Sequence, residues 1–146
     1  MRTDERKDPF LGCNFRVEID GLTVGGFSEV SGLQVETVVE TYREGGLNEY
    51  EHKLPGPTRY PSNLVLKHGL MDTDIFWQWY HEVTQGKIKR KSGSIVLRDS
   101  AGNEQWRWNF TGAYPVRWTG PDLRANTAEV AIESLELAHT GLTRAK

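Results

Sequence analysis

The stretch that decides the fold lies at residues 94–111 and has the sequence SIVLRDSAGNEQWRWNFT. In its second half, Trp106, Trp108 and Phe110 alternate with polar residues, which is the period of a strand with one buried face. Between the two halves, residues 99–103 (Asp-Ser-Ala-Gly-Asn) have the composition of a turn. Two strands joined by so short a turn predict an antiparallel β-hairpin.

Further strands are predicted on both sides of this hairpin. Residues 13–20 alternate strictly between apolar and polar and end at Asp20-Gly21, a tight-turn signal. Residues 129–139 are ambiguous, because Val130 and Ile132 fall in one phase and the two following leucines in the other. A strand with a bulge near Ser134 and a short helix explain that pattern almost equally well. Other strand-like runs lie at 22–30, 33–42, 63–68 and 114–118.

One helix is predicted, at about residues 72–85. Its apolar side chains recur at helical spacing and form a single stripe: Phe76, Trp79, Tyr80 and Val83. Gly86 follows as a left-handed cap. The fold class is therefore mainly β, a small barrel or sandwich with one α-helix and a long extended loop.

Length and charge restrict the class of protein. The 146 residues predict a single domain, 1–146, and 18 basic against 20 acidic residues give a net charge of −2. That balance argues against nucleic acid or an anionic membrane as the main partner. The longest stretch without Asp, Glu, Lys or Arg is residues 108–116, too short for a membrane-spanning helix of about 20 residues. We expect no insertion of the chain into a membrane.

The first residues and the single cysteine favour synthesis in a reducing compartment, without a secretory signal. The charged N-terminus has no apolar run behind it, which argues against a secretory signal. Cys13 alone makes no intrachain disulfide and fits synthesis in a reducing compartment. Because it lies on the apolar face of its predicted strand, we interpret it as a small buried hydrophobic residue.

No catalytic, cofactor or metal site is predicted. The four histidines, His52, His68, His81 and His139, are scattered and none has metal-ligand spacing to another His or Cys. We interpret them as surface or half-buried residues. The glycines at 25, 26 and 32 do not precede a helix and so do not form a phosphate-binding loop.

The run Lys87-Ile88-Lys89-Arg90-Lys91 after the helix is basic. Together with Trp106, Trp108 and Trp118 it suggests one alternative, a groove that binds nucleic acid by base stacking. Two of these tryptophans alternate with polar residues as core positions do, and cations are favoured at a helix C-terminus in any case. This alternative therefore stays secondary.

Residues 43–61 interrupt the strand pattern. They contain Gly45-Gly46 and Pro55-Gly56-Pro57, and such long irregular connections are uncommon inside a compact domain. The neighbouring region 36–51 is acidic, with one basic residue, Arg43, against Glu36, Glu40, Glu44, Glu49 and Glu51. Opposite charges at 36–51 and 87–91 fit either two unrelated solvated faces or the two ends of a head-to-tail contact between copies of the chain, and the long loop beside the acidic region favours the contact.

Ordered motifs along nearly the whole chain resemble a known family. They are NFRVEIDG at 14–21, GFSEVSGL at 26–33, YREGG at 42–46, KLPG at 53–56 and LVLKHG at 64–69, with DPF at 8–10 before them and GP at 120–121, Asn126 and 129–139 after them. The set resembles the tail tube proteins of T4-like phages and of contractile injection systems. His68 stands where an arginine is common in that family, and residues 112–115, Gly-Ala-Tyr-Pro, replace the usual Asn-Ala-Trp-Pro.

The resemblance implies an assembly instead of a reaction. Members form rings of six that stack into a hollow inner tube within a sheath, and each subunit lends strands to a barrel around the lumen. The implied partners are other copies of the chain, the sheath protein, baseplate or tube-initiator and terminator proteins, and a protein or DNA cargo. The particle, a phage tail or an injection machine, would be assembled in the cytoplasm.

The family's long loop joins one ring to the next and maps onto residues 43–60. The residues expected in this contact are Arg43, Glu44, Leu47, Tyr50, His52, Lys53, Leu54 and Tyr60. A basic patch that accepts an acidic surface of the next ring or of the sheath is expected at Lys87, Lys89, Arg90 and Lys91. Glu36 and Glu40 are expected to face the lumen or a neighbour, and residues 1–9 and 140–146 are expected to be flexible.

Two alternatives to the main tube protein remain open. The first is a baseplate paralogue that initiates the tube and has the same fold. The second, from a different class, is the nucleic-acid-binding β-barrel.

Overall fold

The computed structural model describes residues 14–20, 22–24, 27–42, 45, 52–70 and 74–145. It confirms a mainly β fold with one helix. The elements are β1 Phe15–Ile19, β2 Leu22–Val24, β3 Phe27–Ser31, β4 Glu36–Tyr42, β5 His52–Arg59, β6 Leu64–Gly69, α1 Ile75–Thr84, β7 Lys91–Arg98, β8 Glu104–Thr119, β9 Ile132–Ala138 and β10 Gly141–Ala145.

Eight strands form one curled, open sheet. Their order is β2-β1-β7-β8-β9-β6-β3, and β10 also pairs with β8. The 16-residue β8 belongs to both halves of the sheet, because its first part pairs with β7 and β10 and its last part with β9. β4 and β5 pair only with each other and form a separate two-stranded ribbon.

The core lies between the two halves of this sheet and under α1. Alternating positions of each strand point inward, as the period of a strand requires. The buried apolar side chains include Val17, Ile19, Ile95 and Phe110 from one half, Leu64, Leu66, Leu135 and Leu137 from the other, and Phe76 and Trp79 from α1. The arrangement is a sandwich in which the described strands leave β2 and β3 as the two ends of the sheet.

The predicted helix is present but shorter than expected. It covers Ile75–Thr84, and residues 72 and 73 lie outside the described ranges. Phe76 and Trp79 are buried, whereas Tyr80 packs against the core from a half-buried position. Gly86 has a φ of +79°, which confirms the left-handed cap that only glycine adopts without strain. None of the described helical segments is long and apolar enough to span a bilayer.

The hairpin at the centre of the sequence is confirmed, and Asp99 orders its turn. Oδ1 of Asp99 accepts hydrogen bonds from the backbone N–H of Ala101 at 3.0 Å and of Asn103 at 2.8 Å. The bond from Asn103 is the main cause that lowers the pKa of Asp99 below its usual value.

Residues 129–139 contain a strand, but the bulge predicted near Ser134 was wrong. β9 pairs with β6 without a register shift. The irregularity lies on the opposite side of β9, in β8, where Pro115 pairs with Leu137 and Arg117 with Glu136. Val116 is the additional residue of β8. The two phases of the sequence arise because Val130 and Ile132 are exposed while the leucines are buried.

The C-terminal end was predicted to be flexible, and this prediction was also wrong for residues 141–145. They form β10, which pairs with β8. Leu142 packs against the core, and the guanidinium carbon of Arg144 lies 3.5 Å from the centroid of the Trp106 ring. These two contacts anchor the strand. The predicted flexible segment 1–9 lies outside the described residues.

Candidate assembly surfaces

The segment predicted as an extended loop at 43–60 is a strand in its second half. β5 pairs antiparallel with β4, with Tyr42 opposite His52 and Glu36 opposite Arg59. The prolines at 55 and 57 concealed this strand from sequence reasoning. Proline is tolerated here because each strand of a two-stranded ribbon has one edge on which no N–H is needed.

The ribbon has a bulge at residues 56 and 57. Thr37 pairs with Thr58 and Val39 with Pro55, so that two residues of β5 lie opposite Val38. A Cβ atom on Gly56 would lie 2.7 Å from the carbonyl oxygen of Val38. The close approach of the two strands at this bulge therefore requires glycine.

Side-chain contacts close the base of the ribbon, and one of them reaches the rest of the domain. Arg59 donates to Oε1 of Glu36 through Nη2 at 2.6 Å and through Nε at 3.0 Å. The hydroxyl of Ser62 donates to the side chain of Gln34. The rings of Tyr60 and His139 are 5.3 Å apart, which ties the end of β5 to the end of β9. Of these contacts, the one between Tyr60 and His139 attaches the ribbon to the main sheet.

Beyond its base, the ribbon exposes apolar side chains. Val39, Tyr42 and Leu54 are 58%, 54% and 48% exposed. An isolated two-stranded hairpin is marginally stable in water, so a partner that covers these side chains would stabilise it. The sequence analysis named Leu54 as a contact residue but not Val39 or Tyr42. Their position in a predicted strand next to a Gly/Pro-rich segment could have indicated them as well.

The described residues predicted for the inter-ring contact lie at two separate places on the ribbon. His52, Lys53 and Leu54 begin β5, whereas Tyr60 lies at the base of the ribbon, about 20 Å away along an extended strand. Glu36 is bonded to Arg59, while Glu40 is exposed opposite Leu54. The remaining predicted residues, Arg43, Glu44, Leu47 and Tyr50, lie outside the described ranges.

The basic run after α1 has a fixed backbone. The indole Nε1–H of Trp79 donates to the carbonyl oxygen of Lys89 at 3.3 Å. Lys91 begins β7 and places its ammonium 5.1 Å from the Trp79 ring, and the guanidinium carbon of Arg90 lies 5.0 Å from the Tyr114 ring. Lys87, Lys89 and Arg90 are exposed, whereas Lys91 is half-buried. The exposed basic surface therefore consists of residues 87–90.

A polar face covers the outer side of β1, β7, β8 and β10. Glu18, Ser94, Asn109 and Thr143 are in register across these four strands. The hydroxyl of Ser94 donates to Oδ1 of Asn109 at 2.6 Å. These side chains stand on the face opposite the core, so the sheet presents a continuous polar surface to its surroundings.

Arg107 organises the charges on this polar face. Its guanidinium donates to Glu104 at 2.6 Å and to Glu18 at 2.9 Å. These bonds, first to Glu104 and then to Glu18, raise the pKa of Arg107. The same bond from Arg107 is the main cause that lowers the pKa of Glu104. The polar face is thus a network of fixed charges, which the sequence indicated only as alternating polar positions.

The histidines do not form a reactive site. His68 is buried at 3% exposure, which corrects the prediction of a surface or half-buried residue, and its Nε2 contacts Glu133. The ring of His81 stacks on Trp77, with 6.4 Å between centroids, and His139 packs on Tyr60. Within the described ranges, no three His, Cys, Asp or Glu side chains converge as a metal site. Cys13 lies outside them.

The tryptophans are engaged in the fold. Trp108 and Trp118 pack against the core, and Nε1–H of Trp118 donates to Oε2 of Glu133 at 2.9 Å. Trp106 lies under Arg144. Because their faces are covered, they do not form the exposed stacking platforms that the nucleic-acid alternative needs.

One protein-family model matches nearly the whole chain. A family model for the T4-like virus tail tube protein gp19 matches residues 11–143. No curated protein sequence matches the chain.

Solved structures share the fold over nearly the full length. A chain of the cryo-EM structure of the anti-feeding prophage tube-terminating cap has a TM-score of 0.88 at 24% identity, covering 99% of this chain and 95% of that one. A chain of the sheath–tube complex of the PVC extracellular contractile injection system has a TM-score of 0.83 at 25% identity, covering 94% and 91%. Hcp1 from Flavobacterium johnsoniae has a TM-score of 0.61 at 16% identity, covering 90% and 94%.

Proposed function

This chain belongs to the family of the T4-like virus tail tube protein gp19, and we propose that its copies form six-membered rings that stack into the hollow inner tube of a contractile particle. Similar chains come from a sheath–tube complex, a tube terminator and a baseplate, which supports the sheath, terminator and baseplate proteins as further partners. The role is structural: the tube delivers a protein or DNA cargo when the sheath contracts.

The ribbon β4–β5 is the observation that carries this proposal. It stands apart from the main sheet, its base is clamped by the pair Arg59–Glu36, and its apolar side chains face outward. A surface of this kind is stable when a neighbour covers it. The ribbon therefore joins one ring to the next, with Tyr42 and Leu54, which share one of its faces, at the contact.

The open sheet supports growth by copies of the same chain. Among the described strands, β10 pairs on one side only, with β8, and β2 and β3 end the sheet. Exposed strand edges favour pairing with another chain, and closure of a sheet across neighbours removes them. Each subunit in this proposal completes its sheet with strands of the adjacent subunits.

The polar face of β1, β7, β8 and β10 lines the lumen in this proposal. It is wide, hydrogen-bonded within itself and opposite the core, as in the pair Ser94–Asn109. A lumen wall that cargo passes has to be wetted and to present few apolar side chains. Arg16 and Arg107 balance Glu18 and Glu104 on this face, so the wall would not hold a cargo of either sign tightly.

Exposed basic residues 87–90 provide the complementary outer contact. Lys87, Lys89 and Arg90 are open to solvent next to the helix, on a different part of the subunit from the ribbon. They dock on an acidic surface of a neighbouring subunit or of the sheath. Such a contact weakens as salt screens it.

The test of the proposal is assembly of a ribbon variant. Wild-type chain at increasing concentration, viewed by negative-stain electron microscopy, is expected to give tubes. Tyr42→Asp with Leu54→Asp places two charges on one face of the ribbon and is expected to stop assembly at single rings. Thr58→Asp adds a charge at an exposed polar position of the same ribbon and serves as the matched control. Tubes of normal length from the double variant would overturn the inter-ring role.

A baseplate tube initiator is the second candidate function. A chain of the anti-feeding prophage baseplate has a TM-score of 0.85 and covers 96% of this chain, which is as similar as the tube structures. The two functions differ in the length of the assembly. An initiator stops at one ring on overexpression, whereas a tube protein continues to stack.

A further inference from the structure

An open groove of about 410 Å³ lies where β8 ends and β9 begins. Its lining includes Val130 and Ile132, which are 74% and 42% exposed, and the acidic residues Glu29, Asp122 and Glu129. Lys67 also lines it and pairs with Glu29 at 3.4 Å. We refer to this surface as the acidic groove.

Two carboxylates of the groove lack a counter-ion among the residues that the structure describes. Asp122 and Glu129 form no ion pair with any residue in the ranges that the structure describes. Arg124 is exposed in the same loop, but with it the groove still has three acidic groups, Glu29 included, against two basic ones, Lys67 and Arg124. The groove therefore combines exposed apolar side chains with a net negative charge.

Residues 87–90 have the reverse combination. Ile88 is 56% exposed and stands between Lys87 and Lys89, with Arg90 after it. Lys89 pairs only loosely with Glu82, at 3.8 Å, while Lys87 forms no ion pair within the described ranges. An apolar side chain flanked by cations matches a groove lined by apolar side chains and carboxylates.

The groove and the basic run lie beside different sides of α1. Trp77 contacts Trp118 with 4.8 Å between ring centroids, next to the Thr119 that lines the groove. Trp79, which donates to the carbonyl oxygen of Lys89, is two residues further on and therefore points to the opposite side of the helix. None of residues 87–90 lines the groove, so the basic run of a molecule does not fill its own groove.

We propose that residues 87–90 of one copy dock into the acidic groove of a second copy, with Ile88 against Val130 and Ile132 and the cations beside Asp122 and Glu129. The inference rests on the proposed function and adds the partner surface for the basic run. Because donor and acceptor surfaces differ, the contact is head-to-tail, the kind that generates rings and tubes.

The acidic region of the ribbon is a weaker candidate for the same partner. Glu36 is already bonded to Arg59. Over the described residues of β4 and β5, Glu36 and Glu40 are balanced by Lys53 and Arg59. The other acidic residues of 36–51, Glu44, Glu49 and Glu51, lie outside the described ranges, so the groove is a described surface with a net negative charge and the described part of the ribbon is not.

A charge exchange tests the contact. In the first variant, Lys87, Lys89 and Arg90 are each replaced by Glu; in the second, Asp122 and Glu129 are each replaced by Lys. Each variant alone is expected to lose at least tenfold in assembled fraction, measured by sedimentation velocity and electron microscopy. An equimolar mixture is expected to recover assembly, because the acidic run of the first variant fits the basic groove of the second.

The chain with all five substitutions is the matched control and is expected to assemble with itself. Single variants that assemble like wild type would overturn the inference. Failure of both the mixture and the five-substitution chain, each folded by circular dichroism, would also overturn it. If only co-assembly with the sheath protein is lost, the run binds the sheath and the inference is wrong. A wild-type chain that never forms rings would instead contradict the proposed function.

Discussion

Nε2 of His68 lies 2.5 Å from Oε1 of Glu133, and both side chains are buried in the core. The two residues are directly opposite each other on β6 and β9. They continue a row of core pairs, Leu64 with Leu137 and Leu66 with Leu135, so an acid–base pair occupies the third position of an apolar ladder. The other oxygen of Glu133 accepts the bond from Trp118.

Removal of one member of this pair is expected to destabilise the fold strongly. His68→Leu leaves the Glu133 carboxylate buried with Trp118 as its remaining hydrogen-bond partner, and we expect a loss of about 3–5 kcal/mol in the free energy of unfolding. Urea unfolding followed by tryptophan fluorescence measures it.

The double variant His68→Leu with Glu133→Gln is the control for this effect. Gln keeps an acceptor for Trp118 without a buried charge, so the double variant is expected to be more stable than the sum of the two single changes predicts, by about 0.5–3 kcal/mol. Strict additivity would show that the two residues do not interact.

Gly56→Ala is expected to disrupt the ribbon without unfolding the domain. The added Cβ meets the carbonyl oxygen of Val38 at 2.7 Å, and backbone atoms cannot move away easily. We expect shorter or no tubes at a nearly unchanged melting temperature, because the main core is not touched. Gly45→Ala is the matched control, since its Cβ meets nothing within 4 Å. Normal tubes from Gly56→Ala would contradict the role of the bulge.

Asp99 makes stability depend on pH in the acid range. Its pKa is lower in the folded chain than in the unfolded chain, first because of the bond from the backbone of Asn103. The contribution of its carboxylate is therefore complete above the unfolded pKa, about 3.9, and is lost as the pH falls through the folded value. The stability difference between wild type and Asp99→Asn, from unfolding curves between pH 7 and 2.5, is expected to shrink below about pH 4. A difference that grows on acidification would contradict this sign.

Thiol labelling tests whether the polar face lines the lumen. In a Cys13→Ser background, Thr143→Cys places a thiol on that face, in register with Asn109. A small maleimide and a large polyethylene-glycol maleimide are both expected to label the unassembled chain. In capped tubes only the small reagent is expected to react.

Gln85→Cys, at the exposed end of α1, is the control for this labelling. We expect both reagents to react with it in tubes that lack a sheath. Equal labelling of Thr143→Cys by the large reagent before and after assembly would place the polar face outside the lumen.

Alternation was enough to predict the strands that border the core. Val17 and Ile19 in β1 and Phe110 in β8 are buried as their phase indicates. The same rule, applied to Leu64, Leu66 and then His68, also puts the histidine in the core. Sequence reasoning gave the residue type more weight than its phase, and it therefore misjudged the environment of His68.

Other features depend on pairing between distant segments. β5 carries two prolines and little periodicity, and it is a strand because β4 faces it, with Arg59 bonded to Glu36. The short sequence of β10 has no clear strand pattern of its own. It forms a strand because of contacts with distant residues, such as that of Arg144 with the Trp106 ring. The acidic groove joins Glu29 to Asp122, residues far apart in the chain, so no local pattern indicates it.

The continuity of β8 has a mechanical consequence. Since one unbroken strand, Glu104–Thr119, contributes to both halves of the sandwich, a load on one half reaches the other through covalent bonds. A tube thrust lengthwise by its motor would transmit compression through such subunits with little internal slippage, and its stiffness would be limited by the joints between subunits.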